Sequence, residues 1–130
     1  MRRLASLALV LPVVSGCGGH AATRPSAPVN PVPRWIAVEH LPQNATRGAV
    51  LFYASGCTVC HMYAGAGTTN LHAPDLTSIG KRQLGIQFQV AHLKCPSCVV
   101  PGSPMPPFAS LGARRLRQVA VFMEASKGTH

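Results

Sequence analysis

A chain of 130 residues with a net charge of +9, 12 prolines and 12 glycines has room for one small domain and a tether, not for two cores. With only seven aromatic residues and five cysteines, that domain is near the size at which an apolar core barely suffices, so something further must fill or staple its centre. The basic balance favours acidic partners and does not bear on the fold.

At the N-terminus, Arg2 and Arg3 precede an apolar run from Leu4 to Val14, too short to span a bilayer but suited to the apolar region of a secretory signal. The run ends in Val14-Ser15-Gly16-Cys17, which resembles the lipobox of bacterial lipoproteins. That resemblance implies that residues 1–16 are a signal peptide and that Cys17 is acylated. The mature chain would then be held on the periplasmic side of a membrane without crossing it. Gly18 in place of Asp favours an outer membrane where the source has one. An ordinary signal peptide with an incidental Cys is the alternative. Residues 17–35, with Pro25, Pro28, Pro31 and Pro33, predict a solvated, semi-rigid linker, which leaves residues 36–130 as the domain.

Within the domain, a helix is predicted from about Asn44, a good N-cap residue, to Ser55, with Ala45, Gly48, Ala49 and Phe52 on one face. Small residues on that face permit close approach of another helix. Cys57-Thr58-Val59-Cys60-His61 follows, and Cys-x-x-Cys-His is the sequence that carries a covalently attached c-type haem. Its spacing suits the chemistry: each thiol adds to one vinyl group of the porphyrin, and the next residue is an imidazole able to ligate the iron.

A middle segment, Lys81 to Lys94, is helical by composition, but its inward face is ambiguous between Leu84, Phe88, Ala91 and Ile86, Val90, Leu93. Cys95-Pro96-Ser97-Cys98 comes next and is followed by Val99 rather than His, so one haem is expected, not two. In an oxidising compartment Cys95 and Cys98 can close a structural disulfide or act as a reactive pair. The two Cys pairs together also spell a tetrathiolate zinc site, but their separation is long for one and His61 would go unused.

The stiff Pro-rich stretch Pro101-Gly102-Ser103-Pro104-Met105-Pro106-Pro107-Phe108 can present the Met105 thioether to a fixed point as the sixth iron ligand. His72 or His92 could replace it. Met62 adjoins His61, and Met123 falls on the apolar face of a last helix, about Ser110 to Ser126, that carries Leu116, Val119 and Ala120. No strand pattern of any length is visible.

From about Asn44 to Lys127 the chain resembles a class I monohaem cytochrome c. The resemblance rests on Arg47-Gly48-Ala49-Val50-Leu51-Phe52, the haem motif, Ala73-Pro74-Asp75-Leu76-Thr77, His92-Leu93, the Met105 loop and a closing helix with Phe122. It implies an all-α fold of three to four short helices wrapped around one covalently bound haem c. Cys57 and Cys60 would be the thioether sites, and His61 and Met105 the axial ligands. Pro74 would offer the carbonyl that fixes the proximal imidazole, and Gly48 and Phe122 would mark the crossing of first and last helices. The second Cys pair departs from that family's pattern.

The function implied is one-electron transfer between a respiratory donor and an acceptor such as a terminal oxidase, with no small-molecule substrate and no enzymatic step. Lys81, Arg82 and Lys94 are candidates for a basic rim that meets acidic redox partners, whereas Arg114, Arg115 and Arg117 read as a solvated helix face. Nucleic acid is not expected as a partner. The rival readings are a haem enzyme or sensor with an open distal site, and an obligate subunit of a larger redox complex.

Overall fold

Helix α2, Gln43–Ala54, buries Ala45, Gly48, Ala49 and Phe52, within one residue of the expected span. The extended Pro42 leads into it, and the left-handed Gly56 at φ 76° ends it. The computed structural model describes residues 29–128; residues 1–16 read as a signal peptide, Cys17 and the first part of the expected linker lie outside them. Among the described residues the chain is mostly helical, with α1 at Val32–Val38, α3 at Ile86–Lys94, α4 at Pro96–Val99 and α5 at Gly112–Ala125. None of these helices is long and apolar enough to cross a membrane.

Helix α1 corrects the expected domain boundary, because it begins inside the stretch assigned to the linker. Asn30 accepts the Val32 N–H at 3.0 Å, and Pro33 stands in the first turn, where a missing N–H costs nothing. The fold captures this helix because Trp35 is fully buried. Its ring meets Phe52, Tyr63 and Phe122 with centroids 4.9 to 6.4 Å away. Four of the chain's few aromatic residues thus form one cluster, which concentrates apolar contact where the core is otherwise sparse.

The cluster lies at the crossing of α2 with α5, and the crossing is close because Gly48 has no side chain. A Cβ there would fall 2.1 Å from the Gln118 carbonyl oxygen and 2.6 Å from Phe122 Cβ. On the other side of α5, a Cβ at Gly80 would fall 2.3 Å from the Glu124 carbonyl oxygen, and Gly80 N–H donates to Ser126 O at 2.8 Å. Helix α5 is therefore seated against backbone at both places. Its buried face is Leu116, Val119, Ala120, Phe122 and Met123, and Arg114, Arg115 and Arg117 point to solvent.

A two-residue hairpin, β1 at Met62–Tyr63 and β2 at Ala66–Gly67, follows the haem motif and pairs antiparallel. It escaped the sequence reading because two-residue strands carry no alternation to detect. Ala64 and Gly65, both at positive φ, make the turn that such a hairpin requires. Arg34 Nη1 donates to Ala64 O at 2.7 Å and so ties α1 to the hairpin.

Tyr63 is buried, and its hydroxyl is 2.9 Å from Ser126 Oγ. Ser126 spends its own proton on Phe122 O at 2.8 Å, so the tyrosine is the donor. Burial pushes the Tyr63 phenol up from 10.0 to about 12. The unfolded chain therefore loses this proton above pH 10, whereas the folded chain keeps it to about pH 12. With fewer protons bound in the unfolded state, stability falls as pH rises through that window, at most by about 1.4 kcal/mol per pH unit. Denaturant midpoints at pH 9, 10 and 11 should fall more steeply for the wild type than for Tyr63→Phe; parallel curves would mean that Tyr63 is not the group responsible.

Helix α3 starts at Ile86 rather than Lys81, because Gln83 and Gly85 both hold positive φ and interrupt the expected run. Its inward side draws on both alternatives. Gln89 and Leu93 are buried, and Leu84 and Phe88 line a cavity together with them.

Candidate cofactor site

The site begins where α2 stops. After Gly56 the chain turns through Cys57–Val59 as one short 3-10 turn, and the His61 N–H donates to Cys57 O at 2.8 Å. This turn brings the side chains of Cys57, Cys60 and His61 to the wall of a single cavity of about 360 Å3. Cys57 is buried and Cys60 half-buried, and neither is in a disulfide. Burial pushes the Cys57 thiol up from 9.0 to about 12, so its sulfur stays neutral in apolar surroundings.

His61 is oriented by a carbonyl. Its Nδ1 lies 2.9 Å from Pro74 O, and since a carbonyl can only accept, Nδ1 carries a proton, which in a neutral ring leaves the lone pair on Nε2. Pro74 is held in turn by the segment after it. Leu76 N–H donates to Met62 O at 2.9 Å, Ala64 N–H donates to Thr77 Oγ1 at 2.8 Å, and the Asp75 carboxylate accepts the Thr77 N–H at 2.8 Å. The hairpin is thus a brace that sets the ring of the residue just before it.

Met105 reaches the same cavity from the far end of the chain, with Ser103, Pro104 and Pro106 beside it. Phe52, Leu76, Ile79, Leu84, Leu93 and Phe108 make most of the remaining wall apolar, and Arg82 and Gln89 also line it. Met123 also touches the cavity, and Met62 does not line it. His72 sits exposed at the rim, next to Leu71, both at positive φ. His92 is half-buried in the wall; burial lowers its pKa below 6.5, with the nearby His61 adding to the effect, so its imidazole is neutral at pH 7.

Cys95 and Cys98 are joined in a disulfide with their Cα atoms 5.3 Å apart. They are committed to each other, so the tetrathiolate zinc alternative has no support. Among the described residues no group of three or more His, Cys, Asp or Glu could hold a metal ion. His61 and Met105, an imidazole and a thioether on the wall of one cavity, are the kind of donor pair that would complete the ligation of a haem iron. The cavity also lies within the range of sites that enclose an organic cofactor. The donor set and the apolar walls therefore fit a haem.

Gln89 was not anticipated. It is 2 % exposed, lines the cavity, and donates from Nε2 to Glu124 Oε1 at 2.9 Å. Its spacing of four from Leu93 was the signal that it shares the inward face. No family model, curated protein or solved structure matches this chain.

Proposed function

We propose that this chain is a one-electron carrier built around one covalently held haem c. The observation that carries the reading is the convergence of Cys57, Cys60, His61 and Met105, from two distant stretches of sequence, on one apolar cavity. When bound, the haem supplies reversible Fe(III)/Fe(II) chemistry. Cys57 and Cys60 would hold it through thioethers, and His61 would bind its iron through Nε2 while Pro74 O keeps the ring from turning. Met105 would supply the second iron ligand, and its thioether would raise the reduction potential relative to a second imidazole. Phe52, Leu76, Ile79 and Leu93 exclude water, which limits ligand exchange.

No bond in a substrate is made or broken in this reading, and an acidic redox protein is the partner. Lys81, Arg82 and Lys94 are exposed, and Arg82 stands at the cavity, where positive charge favours docking of an acidic surface. Acylation of Cys17 would tether the carrier to a membrane on the periplasmic side. Within this reading the protein serves a respiratory donor and acceptor, either as a tethered carrier or as a fixed subunit of a larger complex; co-purification from membranes separates the two.

The test is the absorption spectrum after expression with cytochrome c maturation machinery. The wild type should give a c-type reduced spectrum and, when oxidised, the weak Met-to-iron charge-transfer band at the red edge. Met105→Ala should abolish that band and admit carbon monoxide to the reduced protein. A wild type that is high-spin and binds carbon monoxide readily would instead be an enzyme or sensor with an open distal site. Retention of the band in Met105→Ala would remove Met105 from the ligand set, and absence of covalent haem would end both readings.

A further inference from the structure

Between Leu93 and Phe108 the chain makes a loop that returns to its point of departure, where Phe108 N–H donates to Leu93 O at 2.8 Å; Pro96 anchors its start in the core and most of the rest is exposed or half-buried. This flap carries Met105 and the Cys95–Cys98 disulfide. Val100, Ser103 and Met105 form part of the cavity wall. Pro101, Pro104, Pro106 and Pro107 have no N–H to give, so the flap has few backbone hydrogen bonds to hold its path. Those it makes are short-range: Cys98 N–H to Cys95 O at 3.1 Å, Val100 N–H to Pro96 O at 2.8 Å and Ser103 N–H to Val100 O at 3.0 Å.

The disulfide is placed where its effect is local. It closes a sequence separation of only 3, and the entropy removed by a cross-link grows with the loop it closes, so it adds little to global stability. It ties the start of the hydrogen-bonded turns that lead to Val100 and Ser103. Cys98 is also solvent-exposed and Cys95 half-buried, so the bond is open to attack without unfolding of the core.

We propose that Cys95 and Cys98 form a thiol–disulfide exchange site whose redox state sets how firmly the flap holds Met105 at the cavity. The reductant is a protein dithiol. Its first thiolate attacks Sγ of Cys98, the Cys95–Cys98 bond breaks, and the electron pair leaves on Cys95, which takes up a proton. The donor's second thiol then attacks the donor sulfur of the mixed disulfide, closing the donor's own disulfide and releasing Cys98, which takes up the second proton. Two electrons and two protons pass from the donor to the Cys pair. The consequence for Met105 rests on the electron-carrier reading; the exchange chemistry does not.

The experiment uses the full haem-loaded chain and dithiothreitol as the dithiol, in native buffer. Thiols are capped with iodoacetamide, the iron is reoxidised with ferricyanide, and mass, amide hydrogen exchange and the red-edge band are read. Cys95→Ser/Cys98→Ser serves as a permanently open form. Expected results are two alkyl groups, at Cys95 and Cys98, without denaturant, and amide exchange at Ser103 and Phe108 faster by on the order of tenfold. Exchange at Phe52 and Phe122 should not change, and the Met-to-iron band should weaken.

A disulfide reduced only in denaturant, or flap amides that exchange alike in both states, would overturn the proposal and leave an inert staple. A loosened flap with an unchanged band would overturn the link to Met105. If the band is absent even from the oxidised chain while the flap still loosens, the electron-carrier reading fails and the exchange site stands.

Discussion

A chain in which Cys57 and Cys60 are both serine is expected to emerge without covalent cofactor and largely unfolded. Phe52, Leu76, Ile79, Leu93 and Met123 belong at once to the hydrophobic core and to the cavity wall, so the space they enclose is part of the core itself. Left unfilled, about 360 Å3 costs at most about 9 kcal/mol at the rate found for engineered core cavities. A domain of this size has roughly 5–15 kcal/mol in all, so the loss is comparable to the whole. Cys60→Ser alone leaves the thioether at the more buried Cys57 and should keep the cofactor and a cooperative, lowered melt. Mass spectrometry reads the attached haem, and far-ultraviolet circular dichroism with a thermal scan reads the fold. A double-serine chain that melts cooperatively near the wild-type temperature would show that the core needs no filler, and the cofactor reading would lose its energetic basis.

Gly48→Ala is expected to be among the most costly single methyl additions to the described residues. The new Cβ would meet the Gln118 carbonyl oxygen at 2.1 Å and Phe122 Cβ at 2.6 Å, and a helix backbone cannot rotate aside as a side-chain tip can. Helices α2 and α5 must therefore separate, which opens the Trp35, Phe52, Tyr63 and Phe122 cluster seated at their crossing. A loss of about 3 kcal/mol or more is expected, at the upper end for overpacked sites. With an m-value of roughly 1–3 kcal/mol/M in urea, the midpoint should fall by about 1 M or more. Gly56→Ala is the control: its φ is 76°, but a Cβ there meets nothing nearer than Val59 Cγ2 at 3.8 Å. It should cost only about 1–2 kcal/mol, the backbone penalty of a left-handed alanine. Equal midpoints for the two variants would mean that α2 and α5 do not cross as closely as drawn.

Thiol–disulfide exchange at Cys95 and Cys98 would be a two-electron chemistry beside the proposed one-electron site. Its value lies in where the disulfide stands. A cross-link between α2 and α5 would stabilise the fold as a whole, whereas this one closes the α4 turn just before the Met105 loop and so acts on the segment that bears Met105, whose ends meet at a single backbone hydrogen bond.

By itself the sequence determined the features that depend on neighbours along the chain. The buried faces of α2 and α5 follow from apolar residues three and four apart, and the left-handed glycine after α2 marks its end. The Cys-x-x-Cys-His turn needs only its own five residues, and the prolines around Met105 stiffen that stretch wherever it packs. Pro74 entered by resemblance, and its hydrogen bond to His61 depends on a brace of contacts from Met62, Ala64 and Thr77 that no local pattern contains. Only the tertiary structure decided that Trp35 is core rather than linker, that Gln89 faces the cavity, and that the inward side of α3 draws on both alternatives. It also brought Met105 to the cavity shared with His61. The physical reason is the same in each case: a local pattern sets which residues can share a face, but what covers that face is supplied by residues tens of positions away, through burial and backbone contacts that exist only once the chain has closed.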